Sequence, residues 1–286
     1  MKKKGCAMDT LRVGMVQFRT GPDKRENLLR MEEFVALLGR EKVELVVLPE
    51  MFQCPYEVGH FPREAEQIPE GETVQYLMRL AQKYRVYLVG GSIPERKGNE
   101  FYNASVILNP EGEILGIHRK IHLFDVDFAD LYFQESSILS PGHSLTLCPT
   151  PWGTVGVMIC YDLRFPELAR LYALRGAKLI VVPGAFNPVT GPLHWELLFR
   201  ARAVDNQVFM IGASPAPHPE SSYQAYGHSL VVDPLGRVIR ELGEEEAVLI
   251  NDLDLSDVDR TRQKLPLLSH RRTDLYAVTW RGGGGE

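Results

Sequence analysis

From Leu11 onward, short apolar, β-branched runs alternate with stretches of helical periodicity, and this alternation restricts the chain to a layered α/β architecture. Leu11–Gln17 reads as a strand, Leu28, Met31, Val35 and Leu38 recur at helical spacing, and Glu44–Leu48 reads as a second strand that stops at Pro49. Thr73 is expected to cap a helix carrying Val74, Leu77, Met78 and Ala81, with Val86–Gly90 the strand that follows. Tyr102–Leu108 and Ile114–Lys120 flank Asn109-Pro110-Glu111-Gly112, a turn suited to an antiparallel hairpin. Residues 121–144 show little periodicity and are expected to form a functional loop beside the site. Beyond them, strand Val155–Ile159 leads to a helix opened by Pro166 and closed by Gly176; strand Leu179–Val182, helix Leu193–Asp205 and strand Val208–Gly212 come next. A Pro-rich loop and a hairpin around Asp233-Pro234-Leu235-Gly236 complete the pattern. Both parallel-type and hairpin strands occur, so a four-layer arrangement with mixed sheets fits better than a doubly wound parallel sheet. No Gly/Ser linker or shift in composition divides the chain, and one domain is expected.

With 44% hydrophobic and 24% charged residues among 286, the chain can bury a large core. The net charge of −5 and the lack of basic clusters beyond Lys2-Lys3-Lys4 and Arg271-Arg272 argue against a nucleic-acid partner. Gly5-Cys6-Ala7-Met8-Asp9 follows the opening lysines where a secretory signal would place an apolar stretch. No run of about 18 apolar residues is present to span a bilayer, and a cytoplasmic protein is expected. Cys6, Cys54, Cys148 and Cys160 form no CxxC pair, which disfavours a disulfide scaffold or a structural zinc site; Cys6 and Cys148 read as packing residues.

Cys160 is different because it stands where a strand turns toward a helix, in VGVMICYDLRFP. Such an elbow exposes a side chain and offers the Tyr161 N–H to a developing oxyanion. A free thiol titrates near about 8.5, so a base or a cation must assist it. Cys54 competes as nucleophile, but Pro55 deprives it of the following N–H. Glu50 follows the apolar run Val46-Val47-Leu48-Pro49, and Lys120 closes the strand that ends Gly116-Ile117-His118-Arg119. Alone, each reads as a solvated charge at a strand end. Together, a carboxylate, an ammonium and a thiol suffice for acyl transfer. His118 and His122, four apart across a strand and a loop, are not aligned as a metal pair. His194 reads as packing or capping, and Glu241–Glu246 as a solvated turn.

The segments LPEMF, HRKIHLF and GVMICYDLRFPELARLYALRGA resemble, in order, the three motif regions of the nitrilase superfamily. GGSIPE, KIHLFDVD, FQESSILSPG, VPGAFNPVTGPLHWELLFRARAVDNQV, YGHS and HRRTDLYAV are similar to its omega-amidase branch. The resemblance implies an αββα sandwich over residues 9–281, pairing into αββααββα homodimers or larger homo-oligomers, with residues 1–8 and 282–286 as disordered ends. It implies Cys160 as nucleophile, Glu50 as general base and acid, and Lys120 with the Tyr161 N–H as the oxyanion partners. Glu135 corresponds to a second glutamate that orients substrate or Lys120. Arg164, four residues after Cys160, either grips a carboxylate or forms an ion pair at the helix entry, and Tyr56, Phe124, Phe186 and Thr190 fall in loops resembling site walls. The implied substrates are small 2-oxo dicarboxylic monoamides, 2-oxoglutaramate and 2-oxosuccinamate, hydrolysed to the acid and ammonia through a thioester. Neither a metal nor an organic cofactor is expected, and HExxH, GxxxxGK[ST] and GxGxxG are absent from the sequence. The alternatives are an amidase for deaminated glutathione, another amidase, nitrilase or carbamoylase of the superfamily, a Cys–His peptidase, or a non-enzymatic binding protein.

Overall fold

Strands of this chain alternate their side chains between two apolar environments, which is why their sequences read as nearly continuous apolar runs. The computed structural model describes residues 9–128 and 131–282; of the expected disordered ends, 1–8 and 282–286, all but Gly282 lie outside the described residues, as does Cys6. One sheet of seven strands comprises β1 (Thr10–Gln17), β2 (Leu45–Val47), β3 (Tyr87–Val89), β4 (Ile93–Lys97), β5 (Glu100–Leu108), β6 (Ile114–Arg119) and β15 (Ala247–Asp254). A two-stranded ribbon, β7 (Asp125–Phe128) and β8 (Leu131–Gln134), stands apart. The six-stranded sheet comprises β9 (Leu147–Thr150), β10 (Gly153–Val157), β11 (Ala177–Pro183), β12 (Phe209–Ala213), β13 (Leu230–Val232) and β14 (Val238–Glu241). The helices are α1 (Lys24–Arg40), α2 (Phe61–Glu64), α3 (Glu72–Tyr84), α4 (Pro166–Leu174), α5 (Gly191–Asn206) and α6 (Ser256–Lys264).

The two sheets follow one plan. β1-β2-β3 and β10-β11-β12 are parallel, and each trio is flanked by antiparallel strands. Leu11, Val13 and Met15 meet Val155, Val157, Leu179 and Val181 between the sheets. On the outer faces, α1 and α3 pack Met31, Val35, Leu77 and Leu80 against the first sheet. Leu168, Tyr172, Trp195 and Phe199 of α4 and α5 pack against the second. The result is the expected four-layer αββα sandwich with mixed sheets.

Three expectations need correction. Thr73 is not the cap of its helix: α3 starts at Glu72, and the side chain of Glu66 accepts from the Thr73 N–H at 2.8 Å and from its hydroxyl at 2.7 Å. A carboxylate from outside the helix thus satisfies the first-turn donor. The segment 121–144 is not wholly irregular, because it holds β7, β8 and a 3₁₀ turn at Glu135–Ser137. At Glu241–Glu246, Glu246 is tied to Arg19 and Arg30 rather than simply solvated.

Candidate active site

Glu50 lies just beyond β2, where Pro49 interrupts the strand and Met51 adopts φ +50°. Gly91, itself at φ +50°, permits this turn: a Cβ there would come within 2.1 Å of the Pro49 carbonyl oxygen. Lys120 follows β6 directly, its N–H donating to the Asn103 carbonyl at 2.8 Å and so extending the pairing with β5. Cys160 opens a 3₁₀ turn, Cys160–Arg164, at φ +45°. The elbow expected from the sequence is present, with this turn between strand and helix: β10 ends at Val157 and α4 starts at Pro166. A non-glycine residue in this region is strained and persists only where its surroundings hold it.

Asp162 is one element of that hold. Its buried carboxylate accepts from the Ile159 N–H at 3.1 Å and the His122 N–H at 2.9 Å, and lies 3.1 Å from His118 Nε2 and 2.8 Å from His122 Nδ1. Burial alone would raise its pKa, but the hydrogen bonds from His118 and His122 outweigh it and hold the group well below the usual carboxylate range. The two histidines that flank Lys120 are therefore fastened to the turn that carries Cys160. The spacing of His118 and His122 had pointed away from a metal pair; it serves this clasp.

The charged cluster is buried. Lys120 Nζ donates to Glu50 Oε1 and Glu135 Oε1, both at 3.0 Å, and to the Tyr56 hydroxyl oxygen at 3.2 Å, and lies 2.9 Å from Glu135 Oε2. Glu50 Oε1 also accepts from Asn103 Nδ2 at 2.8 Å. Glu135 is saturated: Tyr56 OH donates to Oε1 at 2.8 Å and the Phe124 N–H to Oε2 at 2.7 Å. Glu50 is not, since its Oε2 has no hydrogen-bond partner among the described residues.

The Cys160 thiol is close enough to Glu50 for each to shift the other's titration. Burial and the Glu50 charge push the thiol well up, against the opposing pull of Lys120 and a hydrogen bond from the Ala185 backbone. Burial also raises Glu50, with Lys120 opposing and Glu135 reinforcing the shift. Burial works against the Lys120 ammonium, yet Glu135 and Glu50 overcome it and hold its pKa well above the ordinary value. Such an arrangement keeps the thiol protonated beside an acceptor that can take its proton. Cys54 is also pushed far up, by burial and then by Glu64, and Cys148 sits in the core between the sheets.

A cavity at Cys160 is lined by Phe124, Tyr161, Arg164, Phe186, Thr190 and Tyr223, among others. It adjoins a more open pocket sharing Phe124, Tyr161, Arg164 and Thr190. Of the expected wall residues, Phe124, Phe186 and Thr190 line the cavity, whereas Tyr56 joins the polar cluster through its hydroxyl. Arg164 lies between the rings of Phe186 and Tyr161, its guanidinium carbon 4.7 and 5.7 Å from their centroids. Three lining or supporting residues were missed in the sequence. Asn103, a polar residue within the β5 apolar run, was detectable as an anomaly. Tyr223 donates to the Ala185 carbonyl at 2.5 Å from an irregular loop that carries no pattern. Asn187, whose Oδ1 accepts from the Val189 and Thr190 N–H groups, has a buried Nδ2 with no partner among the described residues.

The family model described as carbon-nitrogen hydrolase matches residues 12–263. The omega-amidase NIT2 of Mus musculus is 48% identical over 272 residues, covering 95% of this chain and 98% of its own; that of Danio rerio is 49% identical with the same coverage. Among solved structures, Saccharomyces cerevisiae Nit3, a member of branch 10 of the nitrilase superfamily, is similar with a TM-score of 0.87 at 44% identity, covering 93% of this chain and 98% of that one. The chain belongs to the carbon-nitrogen hydrolase family, within the nitrilase superfamily. It is accordingly a hydrolase of carbon–nitrogen bonds other than peptide bonds.

Proposed function

We propose that the protein is an omega-amidase that hydrolyses the terminal amide of 2-oxoglutaramate and 2-oxosuccinamate, through a thioester on Cys160. One observation carries the assignment of roles: Glu50, close enough to the thiol for each to shift the other's titration, keeps a buried oxygen with no hydrogen-bond partner among the described residues, while both oxygens of Glu135 are occupied. Glu50 is thus the proton acceptor, and Glu135 positions Lys120.

In the first half-reaction the Cys160 proton passes to Glu50 as sulfur bonds to the amide carbon. The oxygen that gains the negative charge is held by Lys120 Nζ and the Tyr161 N–H. When the C–N bond breaks, the proton on Glu50 goes to the departing nitrogen, which leaves as ammonia. Water then gives a proton to Glu50 and attacks the thioester; collapse expels the sulfur, which recovers that proton, and releases the acid. At the far end of the substrate, Arg164 takes the carboxylate through paired hydrogen bonds, and Asn187 Nδ2, without a partner among the described residues, offers a further donor. Among the described residues no Asp or Glu lies near enough to Arg164 to hold its charge up; burial lowers its pKa. That favours the carboxylate grip over an ion pair at the helix entry.

The reading includes one domain over residues 9–281, cytoplasmic residence and a homodimer of αββααββα type. Support for dimerisation comes from Leu193, Leu197 and Val204, exposed on α5, and from Leu275 and Tyr276 in the DLYAV segment. Cys54, Cys148 and Cys160 are free thiols, in keeping with a reducing compartment, and no helix among the described residues is long and apolar enough to cross a membrane.

Ammonia release from both oxo-amides, glutamine, asparagine, a nitrile and deaminated glutathione, by wild type and Cys160→Ala, tests the proposal. Turnover of the oxo-amides that vanishes in the variant is expected. Inert oxo-amides with turnover of another compound would overturn the substrate class.

A further inference from the structure

Arg164 has one hydrogen-bonding side-chain neighbour among the described residues, and it is a histidine. Arg164 Nη1 lies 3.0 Å from His194 Nδ1, across from the first turn of α5. A guanidinium has only N–H donors, so Nδ1 must be the acceptor and the imidazole neutral, with its proton on Nε2. Burial and the neighbouring guanidinium both disfavour the protonated imidazole, in agreement with that geometry. The rings of Phe186 and Tyr161 confine Arg164 from the sides, and neither can set its rotation about the guanidinium plane. His194 also lines the outer pocket together with Arg164.

From these contacts we propose that His194 is a specificity-determining positioning residue: it holds the Arg164 fork in the orientation that receives the carboxylate of an anionic amide. The inference rests on the anionic-substrate reading above. His194 takes no part in bond breaking, since Cys160, Glu50 and Lys120 contact one another without it. A carboxylate ligand uses the fork that histidine leaves free, so the imidazole discriminates between amides by what lies at their far end, not by their reactive carbon.

The test compares kcat and KM of wild type, His194→Leu and His194→Asn on 2-oxoglutaramate and on an uncharged linear amide of similar length. Asn Oδ1 stands close to where His Nδ1 does and can accept from Arg164; Leu cannot. For His194→Leu the expected result is about a tenfold rise in KM for 2-oxoglutaramate, the loss of one hydrogen bond to a charged group, with kcat nearly unchanged. The uncharged amide should stay within about twofold of wild type. His194→Asn should recover most of the oxo-amide affinity. Equal losses on both substrates without rescue by Asn would make His194 merely structural and overturn the inference, as would a Leu variant that keeps the wild-type preference. In those cases a wild-type preference for the charged amide leaves the substrate reading standing. A wild type that shows no such preference overturns the reading, and the inference falls with it.

Discussion

The two ends of the site treat charge in opposite ways. At the Cys160 end Lys120 is enclosed by two carboxylates, and of their four oxygens Glu50 Oε2 alone has no hydrogen-bond partner among the described residues. At the other end Arg164 is half-buried between aromatic rings with a neutral imidazole as its hydrogen-bonding neighbour. A buried ion pair fastened on every side but one holds fixed geometry around the group left to react, whereas a half-buried cation with no carboxylate partner among the described residues is stabilised by whatever anion binds it. The difference assigns the chemistry to the first region and the choice of substrate to the second.

The most damaging way to break the first region, short of removing sulfur, is Glu50→Gln, which takes away the proton acceptor while keeping shape. A fall in kcat/KM of about 10²–10⁴-fold is expected, measured by ammonia release. In the wild type Glu50 must be ionised to act as base, and its pKa is raised above the ordinary 4.5. Activity should therefore be lost as pH falls through a value above 4.5, and the residual rate of Glu50→Gln should lack that limb. An acid limb at the same pH in the variant would move the base role elsewhere.

Arg164→Met addresses the second region. It should raise KM for 2-oxoglutaramate by about 10–100-fold, the size of a desolvated charge-assisted contact, and leave an uncharged amide almost untouched. Steady-state kinetics on the two substrates decide this; a matched loss on both would erase the division of labour between the two ends.

The smallest effect concerns Asp162, which joins the Lys120 segment to the Cys160 turn. Its folded pKa is depressed below the ordinary 3.8, so its stabilisation is fully present above that value and is lost as pH falls from there toward the folded pKa. Thermal melts should show the wild-type Tm declining more steeply below about pH 4 than that of Asp162→Asn, which should start lower at neutral pH. Parallel acid profiles would remove Asp162 from the clasp.

Much of this arrangement was legible because burial on both faces writes itself into a strand. The apolar runs that feed Glu50 and Cys160 lie between the two sheets and the outer helices, so position and strand end could both be read. The ribbon β7–β8 was missed for the converse reason: β7 is largely exposed on both faces and has no apolar period to betray it. Partnerships were less legible than positions. That Asp162 would join His118 to His122, or that a glutamate would cap α3 from outside, depends on contacts 40 or more residues apart for the first and on a turn geometry for the second. His194 read as packing because helical spacing reports which face a residue occupies, not which charged neighbour the fold brings to it. Only the resemblance joined Glu50, Lys120 and Cys160 before the contacts did.

The central claim is that Cys160 carries the acyl group. Rapid quenching of wild type with 2-oxoglutaramate, followed by intact-mass analysis and peptide mapping, tests it directly. The expected result is a transient adduct of substrate minus ammonia on the Cys160 peptide, absent from Cys160→Ala, which should also release no ammonia. An adduct on Cys54, or undiminished turnover by Cys160→Ala, would contradict it.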